Sequence, residues 1–384
     1  MLSEKTSLMQ TIFPVYPNVQ LKATIIVPVK DEAENLLGML HALRLQKDEH
    51  GDAIKPDCYE VLLLANNCSD NSYELAKTYQ LQHPGFNLQV AEITLEKQDA
   101  HIGTVRRLLM DEAYQRFQLL DNMEGIIIST DGDSRVDSQW LHHIFAEFDK
   151  GCDVVGGRII SDPTNSPSRK FHLKDIGYRY LVSHLESSID PCTFDPWPRH
   201  FQCFGPSTAV KCSIYEKAGR LPVLPFLEDE NFRKALLRID ARIRRSPQVK
   251  VYTSSRETGQ VDFGFSVQLN EWTQMNLDGK KLMVEPAGSL IIKFNAKKTI
   301  RNLYESYLHN RQLNLAQLKK LSSSLFLEQD WLQMKITTAS YFGLLWEEIE
   351  QALQLHHWDE RHPGVHIDTA IDHLRSLLYT KQQA

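Results

Sequence analysis

Several signatures that would point quickly to a function are missing from this 384-residue chain. It has no Gly-x-Gly-x-x-Gly and no Gly-Lys-Ser/Thr phosphate loop, which disfavours a dinucleotide-binding or P-loop enzyme, and no His-Glu-x-x-His zinc motif. Its six cysteines, at 58, 68, 152, 192, 203 and 212, form no Cys-x-x-Cys pair. In a chain of this size they read as core or neutral residues of a reducing compartment, so a cytoplasmic location is expected. No apolar run approaches the roughly 20 residues that a membrane helix needs. Residues 1–20 carry charge early and have no continuous apolar stretch, unlike a signal peptide. Positive charge is also in short supply: 43 Lys and Arg face 49 Asp and Glu, a net charge of −6. That balance argues against a general nucleic-acid binder, whose affinity comes largely from basic contacts to phosphate.

Apolar material is ample, at 42% of residues, enough for a full-sized core. From residue 21 onward, strand-like and helix-like segments alternate. Segments 22–29 (KATIIVPV), 59–65 (YEVLLLA), 88–94, 125–130 (GIIIST) and 152–160 (CDVVGGRII) read as strands. Segments 31–46, 70–81, 103–117 and 137–150 read as the helices between and after them. This pattern predicts an α/β fold with a mostly parallel, Rossmann-like sheet flanked by helices. A helix over 171–189, another over 228–239 and a strand over 249–254 follow. Beyond about residue 286, helical periodicity continues at 300–308, 313–325 and 331–355 without further βα alternation. The expected layout is an N-terminal extension (1–20), a catalytic domain (21–285) and a C-terminal helical region (286–384).

In such sheets ligands bind beyond the carboxyl ends of the strands, and the chemically expressive residues fall there. Thr130-Asp131-Gly132-Asp133 closes the fourth strand. Two carboxylates on one loop can hold a hard divalent cation against a diphosphate; taken alone, the same motif is more often an acidic turn capping the next helix. The first strand runs into Val29-Lys30-Asp31-Glu32, and the second into Asn66-Asn67-Cys68-Ser69-Asp70. Each of these is by itself a helix start or an Asn-rich turn. His142-His143 and His356-His357 read as structural pairs, and Trp331, Trp346 and Trp358 as core.

Taken in order, VPVKDEAENL, ANNCSDNS and STDGDSRVDSQWL resemble the family 2 glycosyltransferases of the GT-A fold. So do Gly103-Thr104-Val105-Arg106, Phe204-Gly205-Pro206-Ser207-Thr208-Ala209, Leu227-Glu228-Asp229-Glu230 and the late strand ending in Ser255-Arg256. The resemblance spans about residues 21–264. It implies transfer of a sugar from a nucleotide diphosphate donor, with Mn²⁺ or Mg²⁺ as cofactor, held by Asp133 with Asp131. Pro28, Val29, Asp31, Glu32, Asn66 and Asp70 are then nucleotide-pocket residues. Arg106 and Arg256 are candidates for diphosphate contact, and Asp131 for ribose as well as metal. Asp229 is the general base for an acceptor hydroxyl, with Glu228 beside it.

Two departures matter. Asn66 stands where the family usually carries an Asp. An amide can accept from uracil N3–H and donate to a uracil oxygen, and it suits the paired donors of guanine less well, so UDP is favoured over GDP. Thr253-Ser254 stands where many relatives have a metal-binding His. The Gln-x-x-Arg-Trp motif of processive synthases is absent, which favours single-sugar transfer; inverting transfer is the expected mechanism, although related folds also host retaining transfer. The acceptor, whether small molecule, glycan or lipid-linked, is not identified, and the helical region is a candidate for self-association. Three rival readings are a haloacid-dehalogenase-like phosphatase using Asp131, a sugar-nucleotide pyrophosphorylase, and a non-catalytic sugar-nucleotide binding module. The pyrophosphorylase would want a Gly-rich loop after the first strand, which is missing.

Overall fold

Ala23–Val29 is buried along its whole length, as a strand covered on both faces must be. In the computed structural model, which describes residues 11–163, 166, 168–254 and 265–383, this is β1. The strands that follow are β2 (Tyr59–Asn66), β3 (Leu88–Ile93), β4 (Ile126–Ser129), β5 (Ser134–Val136), β6 (Val154–Ser161), β7 (Thr208–Lys211), β8 (Ile243–Thr253), β9 (Met283–Val284) and β10 (Val365–His366). The helices are α1 (Ala33–Arg44), α2 (Ser72–Gln82), α3 (Ile102–Leu119), α4 (Trp140–Asp149), α5 (Arg169–Ile189), α6 (Cys212–Lys217) and α7 (Glu228–Arg238). After them come α8 (Phe265–Leu277), α9 (Ala287–Asn310), α10 (Leu315–Leu325), α11 (Gln329–Thr338), α12 (Phe342–Leu355), α13 (Trp358–Arg361) and α14 (Ile367–Gln383).

Contacts group the chain into two units. The first contains the described residues of Met1–Phe145 together with Phe204–Asn231 and Val249–Thr253. Its strands neighbour one another in the order β3-β2-β1-β4-β7, the first four parallel and β7 antiparallel to β4. Val29 lies opposite Ala65, and Ile26 opposite Ser129, so the ends of β1, β2 and β4 open onto neighbouring loops. β5 pairs antiparallel with the end of β8, placing Ser134 opposite Thr253. Inside the sheet layer, buried Arg116 pairs with Glu60 at 2.6 Å and donates to Val15 O at 2.8 Å. Thr11 Oγ1 donates to Glu112 at 2.6 Å, so the extension is tied to α3 from its eleventh residue.

The second unit joins Ala146–Cys203 and Phe232–Gln248 to the described residues after Ser254. It does not begin near residue 286, and its packing gives the reason. Tyr178, Leu185 and Ile189 of α5 share one buried cluster with Leu290 and Phe294 of α9 and with Ile371 and Leu374 of α14. A second cluster runs through α9 to α13 and contains Leu318, Ile336, Trp346, Ile349 and Trp358. The helical region expected after residue 286 is present, with the long stretch 331–355 interrupted between Thr338 and Phe342. Asp240 caps α12 from outside, accepting from Phe342 N at 2.8 Å and Gly343 N at 2.6 Å. β10 pairs with β9, a strand contact that the helical pattern of this region did not announce. Among the described residues no helix is long and apolar enough to cross a membrane.

Candidate functional site

The site is built within the first unit, at the ends of β1, β2 and β4. Thr130 N donates to Ile26 O at 3.1 Å, extending the β1–β4 ladder by one residue. Asp131-Gly132-Asp133 then turns down onto β1. A Cβ at Gly132 would stand 3.2 Å from both Val29 Cγ2 and Glu32 Cγ, so the missing side chain lets the two carboxylates settle over Pro28, Val29 and Glu32. Three of the residues the sequence assigned to one pocket, Pro28, Val29 and Glu32, are therefore neighbours of the acidic pair.

Asp31 and Asp70, also assigned to that pocket, are committed to holding two loops together. Asp31 adopts a left-handed φ of 49°, and its Oδ1 accepts from Ser69 N at 2.5 Å and Asp70 N at 3.3 Å. Asp70 accepts from Ser72 N at 3.0 Å, Ser72 Oγ at 2.6 Å and Ala33 N at 3.0 Å. Burial opposes ionisation of Asp70, but these hydrogen bonds outweigh it and hold the carboxyl below its ordinary range. With Cys68 these two acids form the one close group of three metal-capable side chains among the described residues. Their oxygens already serve backbone N–H groups, which makes the group a turn brace.

Arg106 is the hub. Its guanidinium is buried and donates from Nε to Glu228 Oε1 at 3.1 Å and from Nη1 to Ser129 Oγ at 2.5 Å. It also donates from Nη1 to Gly205 O at 3.2 Å and from Nη2 to Asp131 Oδ1 at 3.0 Å. Burial alone would lower its pKa, but Asp131, Glu228 and Asp229 together raise it above the usual arginine value. Such a side chain, expected from the sequence to touch a diphosphate, has its donors turned toward the protein. Gly205 leaves room for this group: a Cβ there would stand 2.7 Å from Arg106 Nη2, and the guanidinium would have to shift.

Asp229 is half-buried at the start of α7. Its Oδ2 accepts from Gly205 N at 2.8 Å and its Oδ1 from Glu230 N at 2.7 Å. Glu228 beside it is buried; burial raises its carboxyl above the usual range, Arg106 opposes this, and Asp229 adds to it. The paired acids thus differ in access: Glu228 faces Arg106, while Asp229 keeps partial exposure. Ser129 opens the STDGD motif and Gly205 lies in the FGPST motif, but neither was singled out from the sequence as a member of this cluster.

Asn66 ends β2 with 5% exposure, and its side-chain amide makes no hydrogen bond among the described residues. Its neighbour Asn67 is used structurally, exchanging hydrogen bonds with the Leu95 backbone at 3.0 Å each way. Thr253, in place of the usual His, reaches Asp133 Oδ1 at 3.4 Å, and Ser134 Oγ donates to the same oxygen at 3.1 Å. Arg256 lies outside the described residues.

The donor set suits a hard cation. Asp131 and Asp133 are partly exposed carboxylates on one tight turn, and Asp131 engages Arg106 through Oδ1 alone. Just before them, the buried Thr130 Oγ1 has no hydrogen-bond partner among the described residues, which is rare for a buried hydroxyl.

Residues 24–201 match the family model described as Glycosyl transferase family 2. No curated protein sequence matches the chain. Among solved structures, S. aureus TarS 1-349 in complex with UDP-GlcNAc is similar with a TM-score of 0.45 and 15% identity, over 88% of this chain and 92% of that one. The mannosyltransferase PcManGT from Pyrobaculum calidifontis, in complex with GDP-Man and Mn2+, gives a TM-score of 0.43 and 14% identity, over 95% of this chain and 88% of that one. At this level of likeness neither carries a residue assignment.

Proposed function

From the match of residues 24–201 to the Glycosyl transferase family 2 model, we propose that the chain is a glycosyltransferase that moves one sugar from a nucleotide diphosphate donor, UDP-linked, to an acceptor hydroxyl with inversion. The observation that carries the reading is Arg106. One buried guanidinium bonds both Asp131, on the donor-side loop, and Glu228, next to Asp229 on the acceptor side. It thereby fixes the two halves of a group-transfer site to each other.

In this mechanism Pro28, Val29 and Glu32 form the floor on which the nucleoside lies, and the unengaged amide of Asn66 reads the base edge. Asp131 and Asp133 would hold the divalent cation, which when bound supplies Lewis-acid neutralisation of the departing diphosphate. Asp229, aimed by the Gly205 and Glu230 N–H groups, takes the proton of the acceptor hydroxyl. That oxygen forms its bond to the anomeric carbon as the bond from that carbon to the diphosphate oxygen breaks, and the diphosphate leaves with the electron pair. Arg106 is a positioning residue in this scheme, and Glu228 is its buried counter-charge. The family match removes the motive for the phosphatase and pyrophosphorylase alternatives.

Calorimetry of UDP and GDP with Mn²⁺, and again in excess EDTA, tests the donor half. UDP is expected to bind more tightly than GDP, and to lose affinity in EDTA more than uridine does, because the cation would neutralise charge that uridine lacks. Equal UDP affinity with and without EDTA overturns the metal assignment.

A further inference from the structure

Residues 221–227, Leu-Pro-Val-Leu-Pro-Phe-Leu, contain no polar side chain, yet they lie largely on the surface. Val223 is 53% exposed, Phe226 46% and Leu227 42%, and Pro225 between them is exposed as well. A consecutive exposed apolar run of this kind is unfavourable unless something covers it in function. The loop is also firmly held. Arg107 Nη1 donates to Leu221 O at 2.6 Å, and the backbone of Leu224 lies so close to α3 that a Cβ on Gly103 would stand 2.0 Å from Leu224 O. Pro222 and Pro225 fix two more backbone angles. Leu227, with a left-handed φ of 57°, then turns the chain directly into Glu228 and Asp229.

We infer that this ledge seats an apolar portion of the acceptor, so that the acceptor is an amphiphile with its hydroxyl at Asp229 and a lipid-like tail along Val223, Pro225 and Phe226. The inference rests on the placement of the acceptor hydroxyl at Asp229. Continuity identifies the occupant: the run ends one residue before the two acids, so a molecule delivering its hydroxyl there passes beside it. Chemistry identifies its class: the exposed side chains Val223, Pro225, Phe226 and Leu227 offer no donor or acceptor with which to read sugar hydroxyls, and they offer methyl, methylene and ring surface. Because the ledge is anchored before binding, little ordering entropy opposes its use.

The test uses octyl β-glucoside and methyl β-glucoside, both below micellar concentration, titrated into the full chain with UDP and Mn²⁺. The octyl compound is expected to bind at least about tenfold more tightly, a difference smaller than burial of two methylenes would give. The double variant Val223→Ser, Phe226→Ser is expected to abolish most of that preference while leaving UDP affinity unchanged, which also shows that it is folded. Absence of octyl binding, equal binding of the two glucosides, or a preference that survives in the variant overturns the inference. Flotation with phosphatidylcholine vesicles that depends on Phe226, without an octyl preference, also overturns it and makes the loop a membrane contact. The functional reading stands or falls separately, on transfer by Asp229→Asn.

Discussion

Each unit contains a buried ion network, and the two differ in their balance. In the second unit Asp195 accepts from Arg199 at 3.2 Å, Arg244 at 3.3 Å and Arg245 at 2.7 Å. Glu186 accepts from Arg199 at 2.7 Å and from Lys297 at 2.9 Å, and its carboxyl is held far below the usual range, since these cations outweigh its burial. Glu147 accepts from Ser246 Oγ at 2.7 Å and lies 3.5 Å from Arg244. Four cations, Arg199, Arg244, Arg245 and Lys297, thus meet three acids. In the first unit a single cation, Arg106, faces Asp131, Glu228 and Asp229. Satisfied in full, a buried network specifies packing and has nothing left to offer a ligand. A cluster with surplus carboxylate, open at Asp131 and Asp229, has an electrostatic use for an incoming cation and an incoming proton. The Asp195 network is a scaffold and the Arg106 cluster is proposed as the site, and mutation can separate the two.

The largest effect is expected at Asp229. Asp229→Asn should cut sugar transfer roughly 10²–10⁴-fold, the range a positioned general base supplies, while UDP affinity and unfolding midpoint stay near wild type. Glu228→Gln and Glu230→Gln should be milder in transfer rate. Near-wild-type transfer by Asp229→Asn, with donor and acceptor verified, would point to a retaining route or to Glu228. The matched change in the scaffold, Asp195→Asn, leaves Arg199, Arg244 and Arg245 short of a counter-charge. Denaturant unfolding should then show a loss of about 3–5 kcal/mol, the cost of breaking a buried pair, with kcat retained in the folded fraction. A selective fall in kcat with stability intact would break the distinction between the networks.

A pH series sharpens it further. His200 lies buried beside the scaffold network, with Nε2 3.1 Å from Ser246 O and Nδ1 accepting from Gln202 N at 3.0 Å. Burial lowers its pKa to about 3, outweighing the hydrogen bond to Ser246 O, which raises it, with the nearby Arg245 charge lowering it further. An unfolded imidazole titrates near 6.5, so the unfolded state binds the extra proton between the two values. The contribution is present above pH 6.5 and is lost as pH falls toward 3, at about 1.4 kcal/mol per unit. Unfolding free energies measured between about pH 4 and 6 should therefore fall less steeply in His200→Gln than in wild type, by about one proton. Equal slopes would mean that the ring is charged or exposed in the native state.

Much of this was legible before the structure. Strands that are apolar throughout, such as Ala23–Val29 and Tyr59–Asn66, announce themselves because both faces are covered. β5 and β7 were not read: Ser134–Val136 and Thr208–Lys211 are three and four residues long and sit inside polar motifs, where no periodicity can develop. The acids assigned to the site lie close together in the first unit, but what each one touches was not legible. Asp31 and Asp70 looked like pocket residues because they follow strands; that they bond each other's loops depends on a left-handed Asp31, a property of the backbone that composition does not encode. Arg106 was a candidate for diphosphate contact because Gly103-Thr104-Val105-Arg106 resembles the family's motif at this helix start. Its partners Ser129, Gly205 and Glu228 lie 23, 99 and 122 residues away in sequence, and only folding brings them together. The grouping of α5 with α9 and α14 was hidden for the same reason.

The smallest expected effect concerns Asn66 and tests whether the site's surplus charge extends to its base-reading end. The residue is buried to 5% exposure, and its amide is unengaged among the described residues, so its geometry leaves both a donor and an acceptor for a base edge. Uracil presents N3–H between two carbonyl oxygens, and the amide can accept from the first while donating to one of the others. A carboxylate can only accept, which suits the adjacent N1–H and N2–H donors of guanine. Asn66→Asp changes little in shape and adds one negative charge, so its effect on affinity isolates this chemistry. It should weaken UDP and strengthen GDP, moving their affinity ratio by about tenfold in total. That corresponds to about 1.4 kcal/mol, one to two net hydrogen bonds. Calorimetry of both nucleotides against both proteins reads the ratio directly. A uniform weakening of UDP and GDP would mean that the added charge acts on the diphosphate and that Asn66 does not read the base; no change in either would place the base away from β2.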